Sequence, residues 1–321
     1  RNRIKGGRNL SLFNTLSQKP WLPSQERIDN DHSGRSLSSD ASRVGFFVLI
    51  TTIATLFSLF LKKLMKAITS PQGMVLVTGP TGCGKTTTLY SILKYINKPS
   101  MNILTAEDPV EYELEGVGQV QVREDIGYTF ASALRSFLRQ DPEVILVGEI
   151  RDKDTVDIAL KAALTGHLVF STIHTNDAAS TITRLQNMGT PNYLISAALS
   201  LIMAQRLARK ICSECKMVDE NVTPKLLNAI GLLPEQSARA RTYKGKGCNK
   251  CNNSGFKGRM GIYEILEVDK ELKQGILSNL GQNELYGIAK KNGFRPMQSM
   301  GHDLLLSGDL SYTEYERMLL T

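Results

Sequence analysis

Gly79-Pro80-Thr81-Gly82-Cys83-Gly84-Lys85-Thr86 is the stretch whose reading decides the fold. Its spacing is G-x-x-x-x-G-K-[ST], that of the phosphate loop of nucleoside triphosphatases. The apolar run Met74-Val75-Leu76-Val77 ahead of it predicts a buried strand, and Lys85 to Ile96 behind it predicts a helix. The motif needs that context. Glycines let the backbone approach phosphate oxygens while successive N–H groups turn inward, and the helix N-terminus adds partial positive charge. On this reading Lys85 reaches the β- and γ-phosphates and the Thr86 hydroxyl holds Mg²⁺. A glycine-rich turn before a helix is the bland alternative, and the flanking elements weigh against it.

Outward from the loop, residues 74–173 alternate strand and helix patterns. Strands are expected at Asn102–Ala106, at Gly118–Val122 (an edge strand, from its polar alternation), at Val144–Val147 and at Leu168–Ile173. Helices are expected at Thr129–Arg139 and at Asp152–Leu164, with Asp152 as N-cap. Such alternation predicts an α/β fold, a parallel sheet with helices on both faces. Ligands bind such sheets at the carboxyl ends of strands. Four strands end there in Gly79, Glu107, Glu149 and His174.

Val144–Glu149 is an apolar strand closing on an acid, like a Walker B element. A carboxylate there can reach Mg²⁺ through water or orient the attacking water. Glu107, at the end of a neighbouring strand, is the candidate general base. For either acid the bland alternative is a surface turn residue. His174 stands at the right end of its strand to sense a γ-phosphate, whereas His167 stands at the other end and reads as structural or as a subunit contact.

Four of the five cysteines form two C-x-x-C pairs, Cys212/Cys215 and Cys248/Cys251, separated by 32 residues. In an intracellular NTPase this points to Zn²⁺ rather than disulfides. Four thiolates close a tetrahedron, so the site would be structural. The bland alternative is four free thiols. The fifth, Cys83, sits at a helix N-terminus beside Lys85. That placement predicts a lowered pKa, alkylation that blocks ATP binding, and protection by ATP.

The 321 residues are 41% hydrophobic and 22% charged, which is globular material with room for two cores. A net charge of +8 permits contact with nucleic acid or an anionic membrane face, but no helicase or nucleic-acid signature accompanies it. Residues 1–43 are rich in Ser, Asn, Arg and Gly without a period, and lack the early apolar core of a signal peptide. The first residue is Arg, which fits a fragment. Val44 to Leu61 is a run of 18 uncharged residues, at the lower limit for a membrane span. The reading favoured instead is a buried strand running into an amphipathic helix. Ile53, Leu56, Phe57, Phe60, Leu64 and Ile68 keep helical spacing past the lysines until Pro71.

These residues together resemble the secretion-superfamily ATPases of type II secretion and type IV pilus assembly. The matching stretches are GPTGCGKTTTLY (79–90), an "Asp box" LTAEDPVEYELEGVGQVQV (104–122) and TFASALRSFLRQDPEVILVGEIRD (129–152). They continue through a "His box" TGHLVFSTIHTNDA (165–178), AQRLARKIC (204–212) and GRMGIYEIL (258–266). The similarity covers about residues 68–321 and is nearest to the pilus-assembly branch, since retraction ATPases of the superfamily lack the tetracysteine motif.

The resemblance implies a RecA-like P-loop core and a homohexameric ring that binds ATP near subunit boundaries. It implies a cytoplasmic enzyme, peripheral to the inner membrane, that turns a membrane platform protein and has no specific nucleic-acid partner. It implies an N-terminal remnant at 1–67, an ATPase core at 68–211, a zinc element at 212–262 and a helical region at 263–321. Carried over, residues 79–87 (Gly79 through Thr86 and Thr87) bind nucleotide, Glu107 is the Asp-box acid, Glu149 the Walker B acid and His174 the His-box histidine. Arg206 or Arg209 is expected to contact nucleotide. Two departures stand out. Cys83 replaces the usual loop Ser, at a position that contributes a backbone N–H. The pattern of the upstream domain that supplies arginines to a neighbouring site is not visible in residues 1–60, so the trans arginines are unplaced and Arg27, Arg35 or Arg43 cannot be assigned to that role. A type II secretion ATPase, or a nucleotide-binding structural or regulatory subunit with impaired turnover, are the competing readings.

Overall fold

Met74 to Val77 lie in a strand, β1 (Gly73–Thr78), that is buried along its whole length. A continuous apolar run of this kind marks a strand covered on both faces. The computed structural model describes residues 60–320. The sequence-based expectations for 1–59, including the unplaced arginines and nearly all of the 44–61 run, fall outside those residues. Among the described residues no helix is long and apolar enough to cross a membrane.

Beside β1 stand β2 (Ile103–Glu107), β3 (Gly118–Gln121), β4 (Val144–Val147), β5 (Leu168–Ile173), β6 (Leu199–Ile211) and β9 (Phe256–Glu267), in one seven-stranded sheet of order β3-β2-β4-β5-β1-β6-β9. All neighbours are parallel except β6 and β9. β3 is the half-exposed edge that its polar alternation predicts.

Alternate residues of β1 face different cores, as the pleat requires. Val75 and Val77 pack with Leu64 and Ile68 of the helix over residues 60–68 (α1) and with Leu89 and Leu93 of α2 (Lys85–Ile96). Met74 and Leu76 belong to the opposite cluster. It takes in α3 (Phe130–Phe137), α4 (Lys153–Leu164), α5 (Ala178–Asn187) and α6 (Asn192–Ala198). Helices therefore cover both faces. The N-terminal ends of α3 and α4 fall one residue inside the expected positions because Thr129 and Asp152 are caps. Their side chains accept from Ser132 N (3.2 Å) and Thr155 N (2.8 Å).

Between the cysteine pairs lie a two-stranded sheet, β7 (Lys216–Val218) with β8 (Tyr243–Gly245), and two short helices, α7 (Pro224–Ala229) and α8 (Pro234–Arg239). The chain closes with α9 (Lys270–Leu277), α10 (Gln282–Lys291), α11 (Met297–Ser307) and α12 (Tyr312–Leu319), whose apolar faces join the cluster under α4 to α6. The border expected at residue 262 falls inside β9, which pairs with β6 from Leu201↔Glu267 to Ile211↔Phe256.

Candidate functional site

Because β1, β2, β4 and β5 are parallel, their carboxyl ends deliver the phosphate loop, Glu107, Glu149 and His174 to one rim. There they line a cleft of about 830 Å³ together with Thr86, Arg151 and Arg259.

The loop takes backbone conformations that glycine alone adopts at ease, with φ of +143° at Gly79 and +91° at Gly84. A Cβ on Gly79 would stand 2.3 Å from the Gln205 carbonyl oxygen. Gln205, buried on β6, pins the loop from beneath: its Nε2 donates to Cys83 O (2.6 Å) and its Oε1 accepts from Thr88 Oγ1 (3.0 Å). Gly84 is the N-cap of α2 and supplies no side-chain acceptor. The first-turn amides of α2 therefore stand as donors at a helix N-terminus, the donor set that suits a phosphate. Lys85 folds over the loop and donates to Gly79 O (2.9 Å) and Pro80 O (3.2 Å).

The expectation of a lowered Cys83 thiol pKa is overturned. The residue is 4% exposed, and burial pushes the thiol up by more than Lys85 and Arg206 pull it down. A helix N-terminus activates a cysteine that water can reach; this one faces the packed side of the loop.

Glu149 sits between two basic groups. Arg151 Nε lies 2.9 Å from one carboxylate oxygen and His174 Nε2 3.3 Å from the other. Arg151 also reaches Asp108 at 3.6 Å, which ties the ends of β2 and β4 together. Glu107 is 3% exposed. Its Oε1 accepts from Thr105 Oγ1 (2.5 Å) and Gln119 Nε2 (3.1 Å), and its Oε2 accepts from the Tyr90 hydroxyl. Burial and this bond to Glu107 push the Tyr90 phenol well up, so it stays a donor. His167 lies at the far end of β5 with Nδ1 3.0 Å from Ala162 O, a structural contact.

Arg206 and Arg209 are not among the residues that line the cleft. Arg206 donates to Asn176 O (2.9 Å). Arg209 stacks its guanidinium over Phe256 (4.2 Å) and donates to the buried Glu314 of α12 through Nε (2.9 Å) and NH2 (2.7 Å).

The four cysteines converge as their spacing predicts, all four sulfurs lying within 4.8 Å of one another. Three of the separations are 3.9, 3.8 and 3.7 Å. A tetrahedron with metal–sulfur bonds of about 2.3 Å has edges of about 3.8 Å. Backbone N–H groups of Gly247 and Gly255 point at Cys215 Sγ and Cys251 Sγ, both at 3.3 Å, as donors to thiolates would. The donor set fits one closed tetrahedral ion.

Several polar residues around the site escape sequence reasoning: Tyr90, Gln119, Gln205 and Glu264. Tyr90, Gln205 and Glu264 act on partners distant in sequence, and none of the four stands in a local spacing that announces it.

A family model described as "Type II/IV secretion system protein" matches residues 48–317. The type IV pilus assembly ATPase PilB of Myxococcus xanthus is 49% identical over 249 residues, 78% of this chain and 44% of that protein. PilB of Thermus thermophilus is 48% identical over 247 residues, 77% of this chain and 28% of that protein. The type II secretion system protein E of Aeromonas hydrophila is 44% identical over 253 residues, 78% of this chain and 49% of that protein. This chain thus spans half or less of these relatives. Among solved structures, the pilus retraction motor PilT with bound ADP superposes with a TM-score of 0.60 at 32% identity, covering 80% of this chain and 64% of that one.

Proposed function

The chain belongs to the type II/IV secretion system protein family, and on that premise we propose that it is the ATP-hydrolysing motor of a type IV pilus assembly machine. One observation carries the reading: the phosphate loop, Glu107, Glu149 and His174 line a single cleft. In the proposed reaction residues 79–87 hold the triphosphate, with Lys85 exchanging its loop carbonyls for phosphate oxygens. The Thr86 hydroxyl would hold Mg²⁺, which would supply charge neutralisation at the phosphates. Glu149, steadied by Arg151 and His174, orients the attacking water. Glu107 accepts its proton: an ionised carboxylate offers about four lone-pair positions, and three are engaged here. His174 reports the presence of the γ-phosphate through its contact with Glu149.

The same reading makes the seven-stranded sheet with its helices, β9 included, the ATPase core, the segment between β6 and β9 a structural zinc element and the residues after β9 a helical region. It places the protein in the cytoplasm as a homohexamer, peripheral to the inner membrane and acting on a platform protein. Type II secretion is the related alternative, since those relatives reach 45% identity. The test is steady-state phosphate release with Mg-ATP from the full chain and from Glu149→Gln. A fall of about a hundredfold or more is expected where a group orienting the nucleophile is lost. Equal rates sink the motor reading. Tight nucleotide binding without turnover in either protein moves the assignment to a nucleotide-binding subunit.

A further inference from the structure

Glu264 is a carboxylate in the C-terminal half of β9, 4% exposed and opposite Ala204 of β6. Its two oxygens are spent on two different helices. Oε1 accepts from the amide of Ala178, the first residue of α5, at 2.7 Å. Oε2 accepts from the amide of Met297, the first residue of α11, at 2.8 Å. The N-cap of α11 is Pro296, which brings no side-chain acceptor of its own. Burial pushes the Glu264 carboxyl up, and the two amides pull against it. A carboxylate in such a place is costly unless what it accepts from is fixed.

The α5 end of this bridge leads to the cleft. Asp177 caps α5 by accepting from Ser180 N (2.7 Å). Ahead of it, the Thr175 hydroxyl lies 2.6 Å from both Thr181 Oγ1 and Thr78 Oγ1. Thr78 is the last residue of β1 before the loop, and His174 precedes Thr175 beside Glu149. A continuous set of hydrogen bonds thus runs from α11 through Glu264 to the His174 segment and the root of the phosphate loop.

We propose that Glu264 is a positioning residue that fixes the His174–Asp177 segment to the C-terminal helical region, so that displacement of α11 changes the nucleotide cleft. This rests on the cleft being the hydrolytic site proposed above. The bridge transmits movement of α11 because a buried carboxylate clamped between two amides has few other places to go.

The decisive comparison uses the donor rather than the acceptor. Met297→Pro deletes the amide that reaches Oε2 at a helix position where proline is tolerated; Met297→Ala keeps the amide and removes the same buried side chain. Hydrogen exchange on the full chain is read over residues 174–182, more than a hundred positions away in sequence. Met297→Pro is expected to speed exchange there about tenfold relative to Met297→Ala, the effect of losing one hydrogen bond to a charged acceptor. Turnover should fall with the KM for ATP held, in Met297→Pro and in Glu264→Gln alike. Equal exchange in the two Met297 variants overturns the bridge. Faster exchange with wild-type kcat in both Met297→Pro and Glu264→Gln overturns its effect on the site. If the wild-type chain releases no phosphate, the hydrolytic reading fails by itself, and the exchange comparison still decides whether the bridge exists.

Discussion

Tyr90 shows what a single buried hydroxyl does at this site. It sits on the inner face of α2, wholly buried, and donates to Glu107 across 17 residues of sequence. Replacing Tyr90 with Phe leaves the packing and removes the donor, so one Glu107 oxygen loses its phenol partner. The expected cost is about 1.5–3 kcal/mol, the range for a hydrogen bond to a charged group, read as a lower urea midpoint with unchanged m. Phosphate release should drop as well, because Glu107 gains freedom to turn. A Tyr90→Phe chain as stable as the parent would show that Thr105 and Gln119 suffice. At this scale the sequence was partly legible. Lys85, Glu149 and the cysteines stand in local spacings whose chemistry is fixed by the spacing. Tyr90 reads as one more apolar-face residue of a helix, and Gln205 as a polar residue in an apolar run. The Cys83 expectation failed for the same reason: adjacency to Lys85 is visible in one dimension, and burial of the thiol is not.

Among the elements, β1 to β5 follow from apolar runs and turn signals because each is covered on both faces or stands at an edge. β6 does not. It runs thirteen residues with arginines at its half-buried end, and its last turns are held by α12 rather than by alternation. That contact has a pH signature. Burial pushes the Glu314 carboxyl up, but hydrogen bonds from Arg317 and Arg209 outweigh it and bring it down to about 2 from an ordinary value of 4.5. A carboxyl depressed in the folded state stabilises above its unfolded pKa and loses that contribution as pH falls through the folded one. Glu314→Gln should therefore cost about 2–3 kcal/mol at neutral pH, and the gap to the parent should close between about pH 5 and pH 2. Denaturant melts across that range test it. A gap that is constant with pH would mean that its source is the change of side chain and not the ionisation of Glu314.

For the whole molecule, the β6–β9 ladder joins the cleft to the cysteine cluster. Midway along it Gln205 holds the phosphate loop and Leu207 lines the cleft, and Arg259, paired with Arg209 nearer the cysteines, lines it too. At the cysteine end Cys212 follows β6 directly, and its amide donates to Gly255 O (3.0 Å) just before β9 begins. The cluster therefore fastens the open end of an antiparallel pair that, among the described residues, has no further strand outside β9. Were the four thiols merely free and packed, their loss would be felt locally and weakly. With an ion bound, ligand loss should release the ladder from its far end inward, because metal binding and folding of such a site are one equilibrium. Elemental analysis of the purified chain should give about one zinc per chain, and Cys248→Ser should lower that content. In that variant exchange should rise most in residues 209–256 and diminish toward Gln205, with β1, β4 and β5 protected as before. The ladder predicts this gradient because each pair nearer the cleft is backed by the parallel sheet on one side and α11 on the other. Absence of metal from the parent chain, or exchange that rises evenly across the sheet, would separate the cysteine cluster from the support of the cleft.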